Sequence, residues 1–379
     1  MTPEFGPSEL WEPATRRDPY AFYTRVRAAG RPIPQLDPAG DRWWVVARHA
    51  DVREGLQHPD LGHQLPGQPP PPDEAGRIAA RQLISLDPPD HTRLRGLVSH
   101  AFTARTAARL EPWITEVADR LVARARFLGS FDGVADLADP LPVNVIAQLV
   151  GVPEDDRPMF RSWSATIVSG SDFDGSATLA FAAYLDDLAA LRRKEPADDL
   201  LSGLVDLDRD DLVATVQLLL IAGQETTVDV VVNAIRLLLT HPEQWRDLRD
   251  DPSLAGAVVE ETLRFRGPVE IVPPRFALRD LGLAGGVIPA GERVALSIWG
   301  ANRDPEVFAD PDVFDVHRAD AHRHLAFGHG IHFCLGAALG RLEARIMLDR
   351  VARDLGTLRL VADPGDAFRL HQGGLPLTV

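Results

Sequence analysis

The stretch "DDLVATVQLLLIAGQETTVDVVVNAIRLLLT", residues 210 to 240, limits the architecture more than any other part of the chain. It is strongly apolar at both ends and closed by "HPEQW", which predicts one helix from about Asp210 to Thr240. A helix that is hydrophobic on every side has to be buried, in a protein core or in a bilayer. Its leading apolar run, "LVATVQLLLIAG", is broken by "QETT" short of the roughly 18 residues a membrane span requires. The expectation is therefore a helix through the centre of a water-soluble protein, with other helices packed around it.

The remaining segments fit that frame. "RTAARLEPWITEVADRLVARA" and "LAFAAYLDDLAALRR" place apolar residues at helical spacing, and a last helix is expected from near Cys334 through "LGAALGRLEARIMLDRVARDL". "RWWVVARH" reads as a strand of a small sheet, and "GGVIPAGERVALSIWGANRDP" as short strands around a Pro-Ala-Gly turn. "LPGQPPPP", residues 65 to 72, can enter neither a helix nor a central strand and is expected to be a loop. With no internal repeat and no Gly/Ser linker, the expectation is one mainly α domain with a minor β portion over residues 1–379.

Charge and cysteine content narrow the function. Lys+Arg is 40 against 55 Asp+Glu, a net charge of −15. That argues against nucleic acid as a partner, since phosphate binding needs a positive field. One cysteine excludes an internal disulfide framework and fits a reducing compartment. The opening "MTPEFGPSELWEPATRRDPY" has no apolar signal region, so a cytoplasmic location without membrane attachment is expected, with the chain as a monomer.

That one cysteine, Cys334, lies in "FGHGIHFCLG", residues 327 to 336, where a Gly-rich loop enters a helix. Unpaired N–H groups and the positive end of the helix dipole favour its thiolate. A lone thiolate beside glycines that allow close approach suits one axial bond to a flat cofactor such as haem. Other readings compete. His332 would supply a Cys–His nucleophile pair, but without a third orienting group. His317, His322, His324, His329 and His332 offer zinc ligands, but one cysteine and irregular spacing fit no standard site. A buried inert cysteine is the fourth reading.

In the central helix, "AGQETT" (Ala222 to Thr227) sets a glycine and four polar residues where burial is costly. Thr226 can bond back to a carbonyl one turn earlier, and Gly223 lets the helix deform. Either a neighbouring helix satisfies this polar turn, or it faces a cleft where a carboxylate and a hydroxyl handle protons. "EETLR" puts Glu261 and Arg264 one turn apart, which alone says little, since surface pairs of that kind contribute roughly 0.2–0.5 kcal/mol.

Together and in order, these pieces resemble the cytochrome P-450 superfamily of haem-thiolate monooxygenases. "FGHGIHFCLG" matches the family's Phe-Gly-x-Gly-x-His-x-Cys-x-Gly loop at every specified position, "AGQETT" its oxygen-binding turn, "ETLR" its Glu-x-x-Arg, and "FDVHR" its later arginine, Arg318. The likeness spans essentially the whole chain, "DPPDHTRLR" and "ANRDPEVFADPDVFD" included. It implies the P-450 fold, with a long central helix over haem b and the cysteine-ligand loop preceding a proximal helix. It implies Cys334 as the iron ligand, with Glu225 and Thr226 delivering protons to dioxygen. His91, Arg95, Arg275 and His332 match positions that bind the haem propionates, while Ala222, Gly223, Phe327, Gly328 and Gly336 would lie against the cofactor, Phe327 shielding the sulfur. Glu261, Arg264 and Arg318 would form a buried ion network.

The implied reaction inserts one atom of O2 into an organic substrate, by hydroxylation or epoxidation, with electrons from NAD(P)H. No fused reductase is expected, so the resemblance implies a separate ferredoxin and ferredoxin reductase. An acidic ferredoxin would dock where Arg341, Arg345 and Arg350 give positive charge. Val168, Leu219, Ala222, Ile271, Val272 and Leu375 match pocket positions, and their aliphatic character suits a sizeable apolar molecule. "GPVEIVPPRF" resembles its counterpart in actinobacterial macrolide-tailoring members, which points to a polyketide or similar secondary metabolite. The C-terminal turn, "HQGGLPLTV", is shortened and lacks the arginine common before its glycine. Rival readings are a peroxygenase or a non-oxygenating enzyme of the same fold, and a haem-binding sensor or carrier. The rival Cys–His hydrolase predicts a colourless protein.

Overall fold

The computed structural model describes residues 4–69, 71–168, 172, 175–362 and 374–379. Its axis is the helix Arg209–Thr240, opened by Asp208, whose carboxylate accepts from the backbone N–H of Asp210. By length and hydropathy this helix could cross a bilayer, contrary to the expectation from its leading run alone, yet most of that window is buried by the rest of the protein. The helices Pro140–Val150, Arg157–Val168, Ala255–Arg266 and Ala337–Asp354 pack against it, and Ala104–Leu128 backs the last of these. Their apolar faces merge into one large core that includes Val216, Leu220, Val231 and Leu238 of the central helix.

The sheets are small and peripheral. In the larger one, β1 (Ile33–Leu36) turns back antiparallel onto β2 (Arg42–Val46), which runs parallel to β8 (Arg293–Leu296). β5 (Arg275–Ala277) pairs with β8 on its other side, and β3 (Leu61–Gly62) closes the far edge against β5. The β3–β5 register sets Gly62 opposite Phe276, which brings His63 beside Arg275. β6 (Leu281–Leu283) and β7 (Gly286–Ile288) form a hairpin, and β4 (Ser130–Asp132), β10 (Pro376–Thr378) and β9 (Arg359–Leu360) a second small sheet.

The helix after the cysteine loop begins at Ala337, three residues beyond Cys334. Residues 65–69, 71 and 72 are irregular, as their prolines require. Residues 371–373 of the C-terminal turn and the side chain of Val168 lie outside the described residues. Leu375, matched above to a pocket position, has no exposed surface among the described residues. It is fully buried in the core against Gly133, whose N–H donates to its carbonyl at 2.7 Å.

Candidate active site

The polar turn of the central helix divides by face. Each residue advances a helix by about 100°, so Ala222, Glu225 and Thr226 share one side, and Gly223, Gln224 and Thr227 the other. Burial follows that division. In a helix otherwise sealed at both ends, Ala222 is exposed and Glu225 and Thr226 half-buried, whereas Gln224 and Thr227 are buried. A cleft therefore opens over the middle of the helix on the side of the acid and the hydroxyl. Thr226 Oγ1 donates back to the Ala222 carbonyl at 2.6 Å, which leaves its lone pairs to accept from the cleft. Gly223 faces the closed side, where a Cβ would meet Ile146 Cδ1 at 2.8 Å.

The helix that follows the cysteine loop packs on the central helix, where a Cβ on Gly340 would stand 3.7 Å from Thr227 Oγ1. Gly328 and Gly330 hold φ values of 70° and 74°, a region side chains disfavour, and a Cβ on Gly330 would also press on Gln57. The Cys334 N–H donates to the Phe327 carbonyl at 2.8 Å, and the residue itself is exposed, with open space where a Cβ on Gly336 would stand. Burial by the surrounding chain pushes the thiol up, while the Gly336 N–H and the charges of Arg95 and Arg341 pull toward thiolate. A cation bonded to the sulfur would favour the thiolate outright. The Phe327 ring packs on Phe333 and His324 and lies 4.3 Å from the Arg341 guanidinium.

Beside the loop, His332 packs between two other histidines, with ring centroids 4.2 Å from His91 and 4.6 Å from His63. Arg275 completes the group, its Nη1 donating to the Leu56 carbonyl at 3.0 Å, and Arg95 Nη2 reaches the Phe333 carbonyl at 2.6 Å. His63 Nε2, His91 Nε2, His332 Nε2 and Arg275 Nε are all buried and without a hydrogen-bond partner. Burial first, then the neighbouring positive charges, drive His332 down to about 2 and His63 to about 4 and lower His91, while burial brings Arg275 to about 10 against the pull of Asp87. Asp87 is the carboxylate that offsets the group, but it also accepts the backbone N–H groups of His63 and Gln64 at 2.9 and 3.1 Å. Buried polar atoms left without a partner cost about 1–3 kcal/mol each, so an arginine N–H and three imidazole nitrogens together mark a place suited to acidic groups. The two carboxylates of a haem satisfy that requirement, so the residues present fit the group. Sequence reasoning missed His63, whose only signal is the β3–β5 register.

Glu261, Arg264 and Arg318 assemble quite differently. All five N–H groups of Arg264 donate: Nε and Nη2 to Glu261 at 2.7 Å, the remainder to the carbonyls of Asn302, Pro311 and Val313. Arg318 Nε lies 3.3 Å from Glu261, whose other oxygen also accepts from the Asp315 N–H. "ETLR" is a closed, fully buried network and not a surface pair.

Other expectations change. Arg341, Arg345 and Arg350 do not make a free basic patch: they pair with Glu260, with Glu111, and with Asp119 and Asp349. The histidines weighed as zinc ligands are scattered, His317 to Asp247, His324 to Glu260 and His332 to its neighbouring rings. Of the remaining pocket candidates, Leu219 is buried, while Ile271 and Val272 are partly exposed on the stretch that leads into β5. A surface groove lined by Phe5, Ile33, Pro34 and Arg42 holds none of the residues singled out above.

The family model described as Cytochrome P450 matches residues 183–355. The chain is 42% identical over 361 residues to the Vitamin D(3) 25-hydroxylase of Pseudonocardia autotrophica, covering 91% of this chain and 88% of that protein. It is 41% identical over 364 residues to the Cytochrome P450 monooxygenase PikC of Streptomyces venezuelae, covering 92% and 86%. Among solved structures, the cytochrome P450 PksS of the Bacillus subtilis bacillaene polyketide synthase superposes with a TM-score of 0.89 at 30% identity, covering 99% of each chain.

Proposed function

The chain belongs to the cytochrome P450 family and is a cytochrome P450 monooxygenase, and from that premise we propose that it oxygenates a sizeable apolar secondary metabolite, such as a polyketide, by hydroxylation or epoxidation. Haem and O2 belong to the family's chemistry, with electrons delivered by partner proteins. NAD(P)H, by way of a ferredoxin and its reductase, is the proposed source, and one domain over residues 1–379, working in the cytoplasm, is proposed to do the work. Haem b, when bound, supplies the iron at which dioxygen is reduced and split.

The chain's own residues have separable tasks. Cys334 gives its sulfur as the iron ligand. His63, His91, His332 and Arg275 donate to the two carboxylates, with Arg95 adding charge, and so fix the orientation of the ring. Glu225 exchanges a proton with water at the cleft, and Thr226 Oγ1, with its own hydrogen on the Ala222 carbonyl, accepts a hydrogen bond from the polar group that enters there and so orients it to receive that proton. Ala222, Gly328 and Gly336 let the ring approach without a large side chain in its way, Phe327 shields the sulfur, and Gly223 lets the helix come close to Ile146.

The observation that carries this reading is the set of four orphaned buried nitrogens gathered around His332, two residues before Cys334, in a chain whose central helix opens an acid and a hydroxyl to a cleft. The substrate class rests on the partly exposed apolar pair Ile271 and Val272 and on two relatives, one named for vitamin D(3) and one for a polyketide synthase. Reduction under carbon monoxide tests the ligand: a strongly red-shifted Soret band is expected, and Cys334→Ala abolishes it. An unshifted band in the wild type refutes thiolate ligation. Soret shifts across a panel of polyketides, sterols and small polar metabolites test the substrate class, which fails if only the polar compounds perturb the spectrum.

A further inference from the structure

The closed side of the polar turn carries a contact for which the reading above has no use. Gln224 is buried, and both ends of its amide are held. Its Nε2 donates to Asp139 Oδ1 at 2.7 Å, and its Oε1 accepts from Ser164 Oγ. Asp139 immediately precedes the helix Pro140–Val150, and Ser164 is fully buried on the helix Arg157–Val168. Gly223, one residue earlier, presses on Ile146 of the first of these helices.

An apolar side chain would fill this interior site without the desolvation that a buried amide and hydroxyl incur. What the amide adds is direction. A buried hydrogen bond holds its partners within a few tenths of an ångström, and breaking one end strands the other. Neighbours on a helix are fixed about 100° apart, so the bonds that hold Gln224 toward Asp139 and Ser164 also aim Glu225 and Thr226 into the cleft. A displacement of the Arg157–Val168 helix pulls on the same turn through Ser164.

We propose that Gln224 is the positioning residue of the Glu225–Thr226 pair, with Ser164 as its outer anchor, so that movement of the Arg157–Val168 helix is transmitted to the pair. The proposal rests on the reading of Cys334 and Thr226 given above.

Carbon monoxide bound to the reduced holoenzyme is the probe, because its infrared stretch responds to the polar groups aimed at it and needs no substrate. Ser164→Ala and Gln224→Leu should each shift and broaden the wild-type band or split it in two. In a Thr226→Ala background, Ser164→Ala should add no further shift. Bands that coincide with wild type in both variants, even with a lowered melting temperature, would reduce the contact to packing and overturn the proposal. Should Gln224→Leu fail to fold, Ser164→Ala, which removes one hydroxyl, decides. The Soret band of the same samples separates the two questions: if it is not red-shifted in the wild type, the thiolate reading has failed, and not the positioning role.

Discussion

Arg264 and Arg275 are both buried arginines, yet their N–H groups fare in opposite ways. Around Arg264 every donor has a partner from the chain itself, a carboxylate bound through two nitrogens and three backbone carbonyls. Around Arg275 the chain gathers three histidines and leaves four buried nitrogens without hydrogen-bond partners, with Asp87 a carboxylate set against them. A buried charge cluster that closes on itself does structural work, and one that stays open is waiting for something acidic. The resemblance singled out both groups, and it is hydrogen-bond satisfaction that separates the frame from the socket.

Substitutions that unbalance each cluster test that distinction. The largest effect is expected at the closed one. Arg264→Ala strands Glu261 without its two strongest bonds in a fully buried site, at a cost of about 3–5 kcal/mol. The melting temperature should fall steeply with or without haem, and a near-normal melt of the variant apoprotein would erase the contrast. The open cluster should behave in the reverse way. His91→Leu removes an orphaned nitrogen, so the apoprotein should melt no lower than wild type. Haem transfer to an acceptor such as apomyoglobin should meanwhile accelerate about 10–100-fold, the equivalent of one charge-assisted hydrogen bond. Equal losses of apoprotein and holoprotein stability would make His91 a packing residue.

His63 gives a smaller and more specific test. His63→Gln should speed haem loss by about tenfold or less. It should also change the acid profile of the apoprotein. A histidine held near 4 in the folded chain and at 6.5 in the unfolded one binds its proton later when folded. Stability is therefore full above pH 6.5 and is lost as pH falls from there through about 4, by at most about 3 kcal/mol before solvent screening. The variant apoprotein should lose less over that window than wild type, by melting temperature. Parallel profiles would mean that the ring is not where the β3–β5 register puts it. The smallest effect is expected at exposed pairs. Arg345→Ala breaks a half-exposed contact with Glu111 and should change stability by about 1 kcal/mol or less. A similar lack of effect on the salt dependence of ferredoxin reduction would remove Arg345 from the docking face.

The readable parts of this protein were those in which function demands neighbouring residues. The cysteine loop needs glycines at fixed steps from the thiol, the oxygen-side turn needs an acid beside a hydroxyl, and Glu261 reaches Arg264 across one helical turn. The central helix was likewise legible, because an apolar run of that length has nowhere to go but inside, and it spans Arg209–Thr240. Residues whose role depends on a distant partner were not. His63 carries no local signal, and the pairing of β3 with β5 alone brings it to Arg275. Arg341, Arg345 and Arg350 read as a basic patch because the carboxylates that neutralise them come mostly from other helices.

By itself, then, the sequence determined which chemical groups are present and how they are spaced along one helix or loop, since i to i+4 geometry is set by the backbone. It also determined that "AGQETT" would be polar inside a core. Only the tertiary structure decided which face of that turn is closed by Asp139 and Ser164 and which opens to the cleft. Only it decided that the Arg264 network is complete while the histidine cluster is not. The physical reason is that whether a buried donor is satisfied depends on acceptors brought from elsewhere in the chain, and periodicity carries no record of them.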